Sequence, residues 1–290
     1  MNPVLAGAVV TGAGRGLGKQ IAELLVSRGH TVLVTDIDAE AAKATAAELG
    51  TRSFARVVDV RDHAQVEAAR DEIVDRAGRL DTWVNNAGVL ATGPAWEQDP
   101  AVRRLMLEVN ALGTINGTVA AIDAMRGSGG GHIVNIVSLA GLTAVTGEAV
   151  YCGSKHAAMG FSLSTMADLR AANIKDINIS CVCPDGIWTP MLHDKLDDPG
   201  SAMSFSGKLL YPEEVVKAIG KVLDKPHLVA PVPRWRGLAA RLADAVPALG
   251  LAATPLVVAQ GRRVQQKLLA SGGPAPNGMR RARRRSARSA

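Results

Sequence analysis

Along the chain, continuous apolar runs rich in β-branched residues alternate with stretches in which apolar residues recur every three or four positions. The runs fall near 4–10, 31–36, 54–60, 81–85, 132–138, 176–183 and 227–232, and the helical stretches near 16–28, 39–49, 63–77, 100–126, 150–172 and 212–225. Strands that are apolar on both faces and separated by helices predict an α/β fold, a parallel sheet covered on both sides. Ligands of such sheets bind beyond the carboxyl ends of the strands.

Two regions depart from this alternation. Residues 187–211 scatter Trp188, Met191, Leu192, Met203, Phe205 and Leu209 among prolines, glycines and aspartates, which predicts a mobile lid. In 233–270, Trp235, Leu238, Ala239, Leu242 and Val246 share one helical stripe, with Arg234, Arg236, Arg241 and Asp244 off it. Val257, Val264 and Leu268 continue an apolar face beyond Pro247 and Pro255, flanked by Arg262, Arg263 and Lys267. This amphipathic extension is expected either to pack on the domain or a neighbouring subunit, or to lie on a membrane surface; sixteen uncharged residues broken by two prolines are too short to span one.

The candidate chemistry lies at the ends of the predicted strands. The first run ends in Thr11-Gly-Ala-Gly-Arg-Gly-Leu-Gly18 and is followed by a helix, the context in which a glycine-rich loop cradles a pyrophosphate on free N–H groups. Gly12, Gly16 and Gly18 hold the glycine positions; Leu17 excludes a G-x-G-x-x-G spacing. Asp36 closes the second strand, where a carboxylate can accept hydrogen bonds from ribose hydroxyls and repel an added phosphate; Ile37 brings no cation to offset it, whereas Arg15 could. A loop-start acid ahead of the next helix is the plainer reading of Asp36. Tyr151 and Lys155, four residues apart, share a helix face, and the ammonium is expected to lower the phenol pKa and ready it for proton exchange. Ser138 ends an apolar run and could hold a substrate oxygen.

With Asn85-Asn-Ala-Gly88, Asn110 and Pro184 through Thr189, these motifs stand in the order and spacing of the short-chain dehydrogenase/reductase family, which the chain resembles over roughly residues 4 to 232. The resemblance implies a Rossmann-type, doubly wound, seven-stranded parallel sheet. It implies that Asp59 and Val60, ending the third strand, meet the adenine, and that Asn86, Ala87 and Gly88 approach the cofactor, the asparagines also tying strands together. Lys155 would hydrogen-bond the nicotinamide ribose; Asn110 would bend its helix and hold a water that completes a proton relay; Ile187 and Thr189, after Pro184, would bind the carboxamide. The family usually has glycine directly after that proline, and Asp185 here puts the shape of the loop in doubt. Long helices at 100–126 and 150–172 pair subunits in many members, so a homodimer or homotetramer is expected.

Composition narrows the rest. At 290 residues and 47% hydrophobic content the chain can bury one sizeable core. The net charge of +6 equals the six arginines between Arg280 and Arg288, in a Gly/Pro/Arg/Ser-rich segment, 271–290, expected to be disordered. Residues 1–270, the body of 1–232 and the extension of 233–270 taken together, are therefore neutral. The arginine tail lacks interleaved aromatic residues, so no specific nucleic-acid partner is expected. Cys152, Cys181 and Cys183 lack scaffold spacing, which points to a reducing, cytoplasmic setting, and two cysteines on one strand face make no metal site. The expected activity is interconversion of a secondary alcohol and a ketone on an apolar substrate, steroid-like, terpenoid or lipid, with NAD favoured over NADP. The alternatives are a non-catalytic NAD-binding regulator and an NADP-dependent ketone reductase.

Overall fold

The computed structural model describes residues 6–271. Strands and helices alternate as β1 (Gly7–Thr11), α1 (Gly16–Ser27), β2 (Thr31–Asp36), α2 (Ala39–Leu49), β3 (Ser53–Val57), α3 (His63–Ala77), β4 (Leu80–Asn85), α4 (Pro100–Leu107), α5 (Gly113–Met125), β5 (Gly131–Ile136), α6 (Ala149–Ala171), β6 (Ile177–Pro184), α7 (Pro190–His193), α8 (Pro212–Asp224), β7 (Val229–Val232), α9 (Arg234–Ala245) and α10 (Pro247–Ser271). The sheet has the order β3-β2-β1-β4-β5-β6-β7, with every pair parallel. The order reverses beside β1, opening a crevice between the ends of β1 and β4.

The period of two along each strand divides the core. Ala8, Val10, Val32 and Val34 face α1 and α8, whereas Val9 and Leu33 face the layer of α3, α5 and α6. Each fully buried Val or Leu contributes about 1.5–3 kcal/mol relative to exposure. Trp83 is fully buried, and its indole N–H donates to Asn85 Oδ1 at 2.8 Å. The Asn85 amide donates in turn to Asn135 Oδ1 on β5 at 2.8 Å, so a satisfied polar network joins the two central strands.

Several boundaries differ from the sequence expectation. The third strand ends at Val57, so Asp59 and Val60 lie in the loop beyond it; the Asp59 N–H is taken by Gln65 Oε1 at 2.9 Å, and the chain leaves the sheet there. The helix expected over 100–126 is continuous in direction but winds as a π-turn at Glu108–Leu112, centred on Asn110. The 187–211 segment is a packed lobe rather than a loose lid. Phe205, Leu192 and Leu196 are buried against Val264 and Leu268 of α10, and Gln265 Nε2 donates to the Asp198 carbonyl and to Ser201 Oγ, both at 2.9 Å. On α9, the inward face is Gly237 and Ala240, while Trp235, Leu238 and Leu242 of the expected packing stripe point to solvent. Positions 4 and 5 of the expected first strand and the arginine-rich segment from 272 onward lie outside the described residues.

Candidate active site

One cavity of about 1230 Å³ opens along the carboxyl ends of the strands. It is larger than a drug-sized ligand requires, and it runs from the crevice beside β1 to the lobe under α9 and α10. All the residues expected to contact a cofactor line it, as do Ser138, Tyr151 and Lys155; Asn110 stands behind its wall.

At the crevice end, α2, α3 and α4 are capped by the carboxylates of Asp38, Asp62 and Asp99, whereas α1 begins at Arg15 with no side-chain cap. The first N–H groups of α1 therefore face the cavity unspent. Gly16 has φ +58 with open space where a Cβ would be, and a Cβ on Gly18 would sit 2.3 Å from the Gly12 carbonyl. That backbone leaves room for a phosphate group against the helix end. Asp36 Oδ2 accepts the Gly14 N–H at 2.9 Å and Oδ1 accepts the Asp38 N–H at 3.0 Å. The carboxylate thus shapes the glycine loop and still has a lone pair on each oxygen for a ribose diol. Ile37 and Arg15, both on the cavity rim, are exposed beside it. A dinucleotide fits this donor set.

Asp59 lines the same end, but its carboxylate is engaged by the Arg61 guanidinium at 2.6–3.0 Å, which holds its pKa below the usual range. The carboxylate expected to meet the adenine thus reaches the cavity wall as an ion pair with Arg61. Val60 is fixed through its carbonyl, which accepts from Asn116 Nδ2 at 2.9 Å. Asn86 Nδ2 donates to the Thr11 and Gly12 carbonyls at 2.9 and 3.0 Å, tying β4 to the glycine loop.

At the other end, Ser138 adopts φ 122, ψ 159, a conformation costly for a residue with a Cβ. The Ala140 N–H donates to Ser138 Oγ at 3.1 Å, which turns the hydroxyl toward the α6 side. Tyr151 is half-buried in the first turn of α6. Burial pushes its phenol pKa upward, the Glu148 carboxylate adds to the rise, and a hydrogen bond with Ser138 opposes it. Lys155 is buried, and desolvation lowers its pKa to about 8. Its Nζ donates to the Ile136 carbonyl at 2.9 Å and stands 5.7 Å from the Tyr151 ring centroid. The phenol is raised rather than lowered in this geometry, because desolvation is the largest influence on it and the ammonium stands well away from the ring.

Asn110 is fully buried. Its Oδ1 accepts the Val89 N–H at 2.8 Å, and its Nδ2 donates to the Val89 carbonyl at 2.9 Å and to Ser154 Oγ at 3.0 Å. Ser154 in turn donates to the Tyr151 carbonyl at 2.6 Å. The asparagine side chain therefore positions the turn of α6 that carries Tyr151.

Pro184 ends β6, and Ile187 pairs with Leu210 as an isolated bridge. Asp185 is buried and pinned by Arg236 of α9, Nε to Oδ2 at 2.7 Å, and it accepts the Gly186 N–H at 3.0 Å. The residue that departs from the family pattern is thus the anchor of the C-terminal helices. Thr189 Oγ1 makes a long 3.4 Å bond to the Ile187 carbonyl and faces the cavity.

Sequence reasoning missed Glu148, which lines the cavity one turn before Tyr151, and the roof that α9 supplies through Ala240 and Ala243. The i, i+3 spacing of Glu148 and Tyr151 could have revealed the first. The second depends on small residues facing inward, opposite to the apolar stripe.

A model of the short chain dehydrogenase family matches residues 6–200. The chain is 34% identical to a D-threitol dehydrogenase of Mycolicibacterium smegmatis over 220 residues, covering 73% of this chain and 83% of that protein. It is 33% identical to the human NAD(+) 15-hydroxyprostaglandin dehydrogenase over 231 residues, covering 76% and 81% respectively. Among solved structures, a short chain dehydrogenase/reductase of Burkholderia phymatum in complex with NAD superposes with a TM-score of 0.76 at 27% identity, covering 86% of this chain and 97% of that one.

Proposed function

The chain belongs to the short-chain dehydrogenase family, and from that premise we propose that it interconverts a secondary alcohol and a ketone with NAD. The observation that carries the reading is the convergence of Ser138, Tyr151 and Lys155 on one cavity with the uncapped α1 terminus. NAD, when bound, supplies the acceptor or donor of hydride. The glycine loop would hold its pyrophosphate, Asp36 the adenosine ribose, Lys155 the nicotinamide ribose, and Ile187 and Thr189 the carboxamide. Ser138 orients the substrate oxygen and Tyr151 exchanges a proton with it. Burial keeps that phenol protonated, ready to give a proton to a ketone oxygen. In the alcohol-oxidising direction the phenol must first give up its proton, so that the phenolate can take the one from the alcohol; Asn110, through Ser154, holds the tyrosine's turn in place.

Asp36 favours NAD, since a 2′-phosphate would meet its charge at short range. Arg15 supports the second reading, an NADP-dependent ketone reductase: it lines the same rim and has no ion-pair partner among the described residues. The substrate end is walled by Leu90, Val145, Met191, Met203 and Val257, which suits an apolar body such as a steroid-like, terpenoid or lipid alcohol. The named relatives act on molecules as different as threitol and 15-hydroxyprostaglandin, so the choice falls to these walls. Exposed Leu112 and Val119 on the α4–α5 run support a homo-oligomer.

The test is a screen of alcohols and ketones with both cofactors, followed by Tyr151→Phe. Turnover should fall at least about 100-fold, the scale of a lost general acid/base, with dinucleotide affinity unchanged. Activity retained in the phenylalanine variant would remove Tyr151 from the proton step, and a chain inert with every substrate would favour a regulatory NAD-binding role.

A further inference from the structure

The helices that roof the cavity are turned the wrong way round for a segment whose only task is to pack on its own domain. The inward side of α9 is made of small residues; a Cβ on Gly237 would lie 2.2 Å from Pro231, and Ala240 is buried next to it. The bulky apolar residues face outward. Trp235 is 62% exposed, Leu238 64%, Leu242 62%, Val246 47%, Leu249 69% and Leu256 76%. The first five follow one another at helical spacing into the α9–α10 corner, and no charged residue occurs from Ala245 to Gln260. An apolar patch of this continuity on a protein surface marks an interaction site.

Charge identifies the occupant. Between positions 233 and 271 there are six cations, Arg234, Arg236, Arg241, Arg262, Arg263 and Lys267, and one acid, Asp244. Arg236 is spent on Asp185, while the other five cations have no ion-pair partner among the described residues. Two copies of this chain joined through the patch by a two-fold axis would bring like-charged surfaces together. A partner that offers both an apolar layer and negative charge relieves both problems at once. We propose that the α9–α10 corner docks on an anionic lipid bilayer, with Trp235, Leu238, Leu242, Val246, Leu249 and Leu256 buried among the acyl chains and the free cations at headgroup level. The lipid surface is entered, not crossed. Pro247 and Val257, beside the patch, line the cavity, so docking places the cavity mouth at the bilayer. The consequence that a substrate enters from the lipid rests on the dehydrogenase reading; the docking itself does not.

Co-sedimentation of the full chain with phosphatidylcholine vesicles, with and without phosphatidylserine, tests this. The full chain should partition onto the anionic vesicles and be released by salt. L249D/L256D, at positions that do not line the cavity, should lower partitioning at least ten-fold with Tm unchanged, although its arginine-rich terminus is intact. Binding that survives in the double variant would assign it to that terminus and overturn the proposal. So would absence of binding by the full chain, whether or not the double variant changes the mass in solution; a change would identify the patch as a contact between copies. A dead dehydrogenase that still binds vesicles would leave docking standing and remove only the substrate route.

Discussion

Glu148 is buried in the wall of the cavity, and its Oε1 accepts the Ser204 hydroxyl at 2.5 Å. Desolvation raises its pKa to about 7, with Asp185 and Asp198 adding to the rise. The folded pKa thus lies above the unfolded one, so the stability linked to this carboxyl is fully present below about pH 4.5 and lost as pH rises through about 7. Glu148→Gln should therefore be more stable than the wild type at pH 8, by a margin on the order of 3 kcal/mol, and nearly equal to it at pH 4.5. Urea titrations at the two pH values measure this; equal midpoints at pH 8 would show that Glu148 is already solvated. At the cofactor end, Asp36→Arg should move preference from NAD toward NADP by replacing a repulsive charge with an attractive one. Dissociation constants for both dinucleotides check it, and a wild type that already prefers NADP would give control to Arg15.

Among the elements, the contact that sets the shape of the site is the ion pair from Asp185, after β6, to Arg236 in the first turn of α9. The Asp185 side chain is only 8% exposed, so removing Arg236 strands a carboxylate under the roof. A double-mutant cycle of Asp185→Asn and Arg236→Gln, read by urea unfolding, should give a coupling of about 1–3 kcal/mol. Additive effects would mean that the helices are held by packing alone. The elements also show where the sequence was legible. Continuous apolar runs placed all seven strands, and the motifs at their ends placed the site, because burial on both faces and free backbone at strand ends leave local signatures. Asp185 was read as a departure, but its partner lies 51 residues away and no local pattern marks the pair. What covers the apolar face of α9 was left open for a related reason. Periodicity finds the apolar stripe but not what covers it, and in this helix the alanines and Gly237 pack inward. Asn110 was read as bending its helix, and it sits at a π-turn; its bond to Ser154 on α6 needed the tertiary structure.

At the scale of the molecule, the parallel order sends every strand's carboxyl end to one edge, and the two C-terminal helices close that edge. Deleting residues 233–290 would uncover the buried cluster of Leu192, Leu196 and Phe205 together with the substrate end of the cavity, while leaving the glycine loop and Asp36 untouched. The expected result is a lower Tm that NAD still raises. Loss of the NAD-dependent rise would show that the cradle itself depends on the roof. The roof also has a place in time. A ribosome delivers the chain from the glycine loop onward, so the cradle, Ser138, Tyr151 and Lys155 have all emerged before Arg236 exists to latch onto Asp185. Every newly made molecule therefore passes through a stage in which the walls from Leu90 to Met203 exist but the roof over them does not. The enclosure of the substrate end is completed last, by a separable segment that carries none of Ser138, Tyr151 and Lys155.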